Sequence, residues 1–318
     1  MTNNITRTMR FPIALAAVAV FASCGGDSTT QPTFGSGCSV GSLRSGETVE
    51  GELGAESCSI PYHFWSGNEV SYETYRVTLQ EGKGYWFYMR QIPNGDGDND
   101  LDALLTLYGR DESGATIPLA ISDDDAGGID GHDSEIFFVA PRSGTFNLVA
   151  GSYDINDVGG YRLTMRECPV VATLDTAGTY ESLPFADSEC VRHSIAQTGV
   201  ASKIVLMAIP SDEFETLDLD VTSGDFSPRI EAGGPGFDTY DNIYDDNVYE
   251  VSSTTPATVS LVNGEVSGMV TLAVGASMFD PSGTFDVVLG RTPAPGKPAT
   301  GGGVPTMKSM FAGALKRR

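Results

Sequence analysis

Carboxylates are the chemistry that this sequence offers most densely. One run reads Asn94-Gly95-Asp96-Gly97-Asp98-Asn99-Asp100-Leu101-Asp102, and after an intervening hydrophobic stretch come Asp123-Asp124-Asp125, then Asp130 and Asp133. Calcium takes roughly six to eight oxygen ligands, and alternating aspartates on a glycine-hinged loop converge readily on one such ion. The spacing of Asp96, Asp98 and Asp100 imitates the start of an EF-hand loop. The imitation then stops, because Leu101 stands where that loop needs glycine and Leu107 where it needs the bidentate glutamate. A calcium site would therefore be assembled across two loops, from Asp98, Asp100 and Asp102 with Asp123 and Asp124. The competing explanation is that these are solvated turn carboxylates capping their own backbone.

Other chemistries find less support. Gly37-Cys38-Ser39-Val40-Gly41 matches the G-x-S-x-G pattern, but no strand precedes it and no helix follows, so the match is fortuitous. His132 lies in the acidic loop as a ligand or a turn residue, while His63 and His193 fall at comparable places in the two halves, near a second strand. No Ser/His/Asp or Cys/His arrangement emerges, and nothing sets two carboxylates across a cleft as glycoside hydrolysis requires. Trp65, Tyr85, Trp86, Phe87 and Tyr88 offer aromatic surface for a sugar. Residues 84–90, however, are bulky on both faces of a strand, so one set is exposed or covered by a neighbouring sheet, and core packing explains them better. No enzyme is expected.

The elements that position these residues are short and extended. Through residues 100–166, β-branched and aromatic runs alternate with acidic or glycine-rich turns, the pattern of an antiparallel sandwich. Phe146, Leu148 and Ala150 share one side of a strand and Thr145, Asn147 and Val149 the other. No stretch sustains a 3.6-residue period. Four motifs here resemble the bacterial pre-peptidase C-terminal domain, a small β-sandwich found beside secreted peptidases. They are Asp100-Leu101-Asp102 before a hydrophobic strand, Asp123-Asp124 after the next, Ser143-Gly144-Thr145-Phe146, and Gly159-Gly160-Tyr161-Arg162-Leu163. The resemblance implies an accessory module that assists secretion, stability or substrate attachment, with calcium-binding relatives. The peptidase itself is missing from this chain.

Cysteine spacing exposes a repeat. Setting Cys24 aside leaves Cys38, Cys58, Cys168 and Cys190, an even number in an exported chain. Similar separations and loosely matching intervening residues select Cys38 with Cys58 and Cys168 with Cys190 among the three connectivities. Each cystine closes a loop of about twenty residues, for roughly 3 kcal/mol. Zinc is a poor alternative, since there is no C-x-x-C pair and the histidines do not cluster with the cysteines. The second half repeats the strand blocks: residues 75–79 and 84–91 correspond to 202–209 and 217–223, 101–109 to 226–233, and 134–140 to 247–252. The expected fold is all-β, two tandem antiparallel β-sandwiches of jelly-roll type, over residues 38–167 and 168–290. In the second copy the acidic loop shrinks to Ser223-Gly224-Asp225, and Asp218 and Asp220 alternate to one face of a strand, so a second calcium site is not expected.

Charge and flanks bound the partners. The chain carries −23, and eight of its 19 Lys and Arg lie in the leader or the tail. Between Cys24 and Gly290 that leaves 11 bases against all 42 acids, or −31. Nucleic acid and anionic lipid would repel such a body. Residues 1–23 pair a basic start with an apolar run too short to span a bilayer, ending Phe21-Ala22-Ser23-Cys24. This is similar to a bacterial lipoprotein signal, which implies a diacylated Cys24, a membrane anchor through lipid, and an outer-membrane or surface address. Residues 24–37 form a polar tether, and 291–318 a Pro/Gly-rich basic tail. The expected function is a non-catalytic, lipid-anchored envelope protein that binds a protein or polysaccharide, with calcium as a stabilising ion. A structural spacer without a ligand is the alternative, and an undetected hydrolase is third.

Overall fold

The computed structural model describes residues 38–54, 56–61, 69–92, 101–110, 116–122, 132–153, 157–185, 188, 190–193, 201–212, 215–226, 228–233, 257–262, 268–276 and 282–293. All of them belong to one compact unit, Gln31–Arg318, and a separate unit, Met1–Thr30, lies outside the described residues. Among the described residues every regular element is a strand, and no helix is long and apolar enough to cross a membrane. The first ten strands are β1 (Ser39–Leu43), β2 (Thr48–Leu53), β3 (Cys58–Pro61), β4 (Glu69–Leu79), β5 (Gly84–Gln91), β6 (Ala103–Arg110), β7 (Thr116–Ser122), β8 (Ser134–Val139), β9 (Gly144–Ser152) and β10 (Gly159–Cys168). After Pro169 come β11 (Val170–Thr173), β12 (Gly178–Pro184), β13 (Val191–His193), β14 (Ala201–Ser211), β15 (Thr216–Thr222), β16 (Pro228–Gly233), β17 (Ala257–Val262), β18 (Gly268–Ala276) and β19 (Thr284–Thr292).

These strands make two sandwiches with the same wiring. In sandwich 1 one sheet runs β1-β4-β9-β6-β7, with β3 also on β4, and the other runs β2-β10-β5-β8. In sandwich 2 the sheets run β11-β14-β18-β16, with β13 also on β14, and β12-β19-β15-β17. The pairs β1–β4 and β11–β14 are parallel, at equivalent places, and the remaining pairs are antiparallel. The equivalent of β8 is β17, so the expected counterpart at 247–252 is replaced by Ala257–Val262. Residues 247–252 lie outside the described residues, and among the described residues β7 has no counterpart in sandwich 2.

Strand alternation builds the cores. Phe146, Leu148 and Ala150 of β9 point inward, as their spacing requires, beside Val77 and Leu79 of β4 and opposite Phe87, Met89, Leu163 and Met165 from the facing sheet. Leu217, Leu219 and Val221 of β15 do the same in sandwich 2, while Asp218 and Asp220 are exposed. Burial of each large side chain contributes about 1.5–3 kcal/mol.

A third apolar layer lies between the sandwiches. On β5, Tyr85, Phe87 and Met89 enter core 1, whereas Trp86 and Tyr88 face the other way. With Phe137 and Val139 of β8 they pack against Ile204, Leu206 and Ala208 of β14 and Ala273 of β18. The Val139 amide donates across this layer to Thr271 Oγ1 at 2.8 Å. Gly84 marks the closest approach: a Cβ there would stand 2.8 Å from Leu206 Cδ1 and 2.9 Å from the Cys168 carbonyl oxygen. Within the sheet β2-β10-β5-β8, strands β5 and β8 are thus apolar on both faces because both are covered, whereas the outer face of β2 and β10 carries exposed polar side chains.

Sandwich 2 is closed at one end by a clasp. Arg291 donates through Nη1 to both oxygens of Glu215 (3.1 and 2.9 Å) and through Nη2 to the carbonyls of Leu174 (3.0 Å) and Pro210 (2.7 Å). Strand β19 continues to Thr292. Arg291, counted with the basic tail on sequence grounds, is therefore a side chain of the sandwich.

Candidate functional site

The two acidic loops leave and re-enter the same end of sandwich 1. Residues 93–100 connect β5 to the approach of β6, and 123–131 connect β7 to the approach of β8. Their returning ends are joined, for the Ala103 amide donates to the His132 carbonyl at 3.1 Å. A third connection, after β9, joins them where the Tyr153 amide donates to the Asp102 carbonyl at 2.9 Å. His132 Nδ1 lies 3.7 Å from Asp102 Oδ1. Of the five aspartates expected to hold calcium, Asp102 is described and sits half-buried at this junction. Asp98, Asp100, Asp123 and Asp124 lie outside the described residues, as does Cys24. Among the described residues no three His, Cys, Asp or Glu groups converge as a metal site.

Asp133 holds this end together from beneath. It is buried, its Oδ1 accepts the Gln91 amide at 3.0 Å, and its Oδ2 accepts the Tyr88 hydroxyl at 2.5 Å. Burial, and then the carboxylate at its hydroxyl, push the Tyr88 phenol well above its ordinary range. One alternation further along, buried Glu135 accepts the Trp86 indole N–H at 3.0 Å. Sequence reasoning grouped Asp133 with the loop acids and passed over Glu135. The available signal was alternation: Asp133, Glu135, Phe137 and Val139 share one strand face, and the last two are apolar.

The remaining candidates take structural places. Cys38–Cys58 and Cys168–Cys190 are disulfide-bonded, with Cα atoms 5.7 and 5.6 Å apart. Such cystines belong to an oxidising, extracytoplasmic setting. Ser39 is exposed at the start of β1, in register with Thr74 rather than at a strand-to-helix turn. Trp86 and Tyr88 stack at 5.2 Å inside the inter-sandwich layer, so they present no sugar platform. His63, Trp65 and the side chain of His193 lie outside the described residues. In sandwich 2, Ser223 Oγ accepts the amides of Asp225 (3.1 Å) and Phe226 (3.3 Å), and Asp225 Oδ2 accepts the Thr284 amide at 2.8 Å. The shortened loop is thus committed to a turn.

No protein-family model matches the chain, and neither does any curated protein sequence. Among solved structures, the chain is similar to a pre-peptidase C-terminal domain of collagenase from Bacillus anthracis, at 19% identity and TM-score 0.25, over 40% of this chain and 92% of that one. It is also similar to the CUB1-EGF-CUB2 domains of human MASP-1/3, at 10% identity and TM-score 0.21, over 76% and 99% of the two chains. The ANX2 ectodomain from Arabidopsis thaliana follows at 9% identity and TM-score 0.24, over 77% and 89%. Likenesses at these scores carry no functional argument.

Proposed function

We propose that this chain is a non-catalytic envelope protein, anchored through lipid on Cys24, whose stacked sandwiches present a calcium-stabilised binding end for a protein or polysaccharide. The observation that supports this is the junction at Asp102. There the returning ends of two acidic loops are hydrogen-bonded to each other, and a third connection is bonded to the same point. Loops mounted on a rigid sandwich are where binding residues gather. Oxygen-rich loops held at one end suit a hard cation that crosslinks them. Asp98, Asp100, Asp102, Asp123 and Asp124 are the proposed ligands, and the ion's part is structural: it offsets their mutual repulsion and orders the end that meets the partner.

Thermal unfolding of the purified mature chain, in calcium and in chelator, tests the metal. A rise of several degrees with calcium, abolished by Asp100→Asn with Asp123→Asn, is expected. An identical midpoint in both buffers defeats it. Cys24→Ser tests the anchor, since the variant should leave the membrane fraction; its retention there would refute lipidation. The spacer reading draws on the apolar layer between the sandwiches, which makes a stiff strut without any ligand. Pull-down against insoluble glycans and collagen-like proteins separates the two, because a strut retains neither.

A further inference from the structure

We infer that Asp133 is a positioning residue through which the docking of sandwich 2 orders the acidic-loop end of sandwich 1. Two hydrogen bonds meet at its carboxylate, and its backbone supplies a further tie. Through the Gln91 amide it holds the point where β5 runs out toward the first loop. Through its own place in the chain, next to His132, it holds the return of the second loop, whose carbonyl takes the Ala103 amide. Through the Tyr88 hydroxyl it is bound to a ring that belongs to the inter-sandwich layer.

The third tie makes the connection run between sandwiches. Tyr88 stacks on Trp86, and both are buried against Leu206 and its neighbours on β14. A phenol on an exposed strand face would swing through several rotamers, and packing by sandwich 2 confines it to the one that reaches Asp133. Separating the sheets frees the ring and loosens the carboxylate. The Gln91 amide and the returning end of the second loop then lose their common anchor. Linkage is reciprocal, so a ligand that fixes the loops also tightens the stack. That last consequence rests on the calcium reading, whereas the mechanical coupling does not.

Amide hydrogen exchange on the full chain tests the coupling without metal. Leu206→Asp, with Leu206→Ala as the milder variant, disturbs the layer from the side of sandwich 2, and the Val139 amide, bonded to Thr271, reports its opening. Tyr88→Phe removes the phenol tie, and Asp133→Ala removes the carboxylate that accepts both hydrogen bonds. In each variant the Gln91 and Ala103 amides should exchange at least about tenfold faster, while Val77 and Leu148, in the far sheet, keep wild-type protection. If the Val139 amide opens in a Leu206 variant and Gln91 and Ala103 stay protected, the coupling is refuted. In a calcium titration, Tyr88→Phe should bind at least about fivefold more weakly than wild type, and equal affinity also counts against it. A wild-type chain that ignores calcium would sink the metal reading alone, leaving the exchange result to decide the coupling.

Discussion

Single residues carry much of the polar order inside these sandwiches, and tyrosines are foremost among them. Tyr161 reaches across core 1 to donate to Glu73, with the Tyr75 hydroxyl 2.8 Å away. Gly51 is required beneath it, since a Cβ would collide with the Tyr161 ring. The phenols of Tyr75, Tyr85, Tyr88, Tyr108 and Tyr161 are all pushed above their ordinary value of 10.0, in each case chiefly by burial, and that of Tyr108 to about 12. Below pH 10 both folded and unfolded chains keep these protons, so the stabilisation is complete there. Above pH 10 the unfolded chain releases them and the folded chain does not, so stability falls as pH rises toward the folded-state values. Tyrosinate absorbance should therefore grow in two stages, the second coinciding with loss of near-UV circular dichroism. A single ionisation near pH 10 with the fold intact would contradict these environments.

At the scale of elements, two ion pairs of similar length separate burial from exposure. Arg162 Nε donates to Glu50 at 2.8 Å across the exposed face of β10 and β2, where both side chains are more than half exposed. Arg291 meets Glu215 at 2.9 Å with side-chain exposures of 15% and 9%, and serves two carbonyls besides. Arg162→Ala should cost about 0.5 kcal/mol or less. Arg291→Ala strands a nearly buried carboxylate and should cost about 3 kcal/mol. Urea unfolding of the two variants checks this, and equal losses would show that the clasp does not hold β19. The strands themselves are legible because alternation is strict where one face meets a core and the other meets water, as in β15. Residues 84–90 of β5 were ambiguous for the converse reason, since apolar side chains on both faces look alike whether the second face is bare or covered. In sequence Arg291 reads as part of the tail because it adjoins a Pro/Gly-rich stretch, and nothing local tells a paired arginine from a solvated one. Of the proposed cation ligands, Asp102 alone falls on described residues, so its loops are legible in composition and in their roots rather than in their geometry.

At the largest scale, the described residues of the unit Gln31–Arg318 form four sheets, with an apolar core inside each sandwich and an apolar layer between the sandwiches, and that middle layer distinguishes them from two beads on a chain. With Pro169 as the sole residue between β10 and β11, the second sandwich is delivered directly onto the outer face of β2-β10-β5-β8. The stack ends at its far side by a change of chemistry. Where β5 presents Trp86 and Tyr88, the equivalent β15 presents Asp218 and Asp220, which accept the hydroxyls of Ser260 (2.6 Å) and Thr258 (2.7 Å). A polar outer face of this kind caps an array and leaves the next module no surface to pack on. The central claim, that the two sandwiches form one body through the middle layer, is tested most directly by calorimetry of the full chain beside a Leu206→Asp variant. One transition with matching calorimetric and van't Hoff enthalpies is expected for the wild type, splitting into two in the variant. Two independent transitions already present in the wild type, unmoved by the substitution, would contradict it.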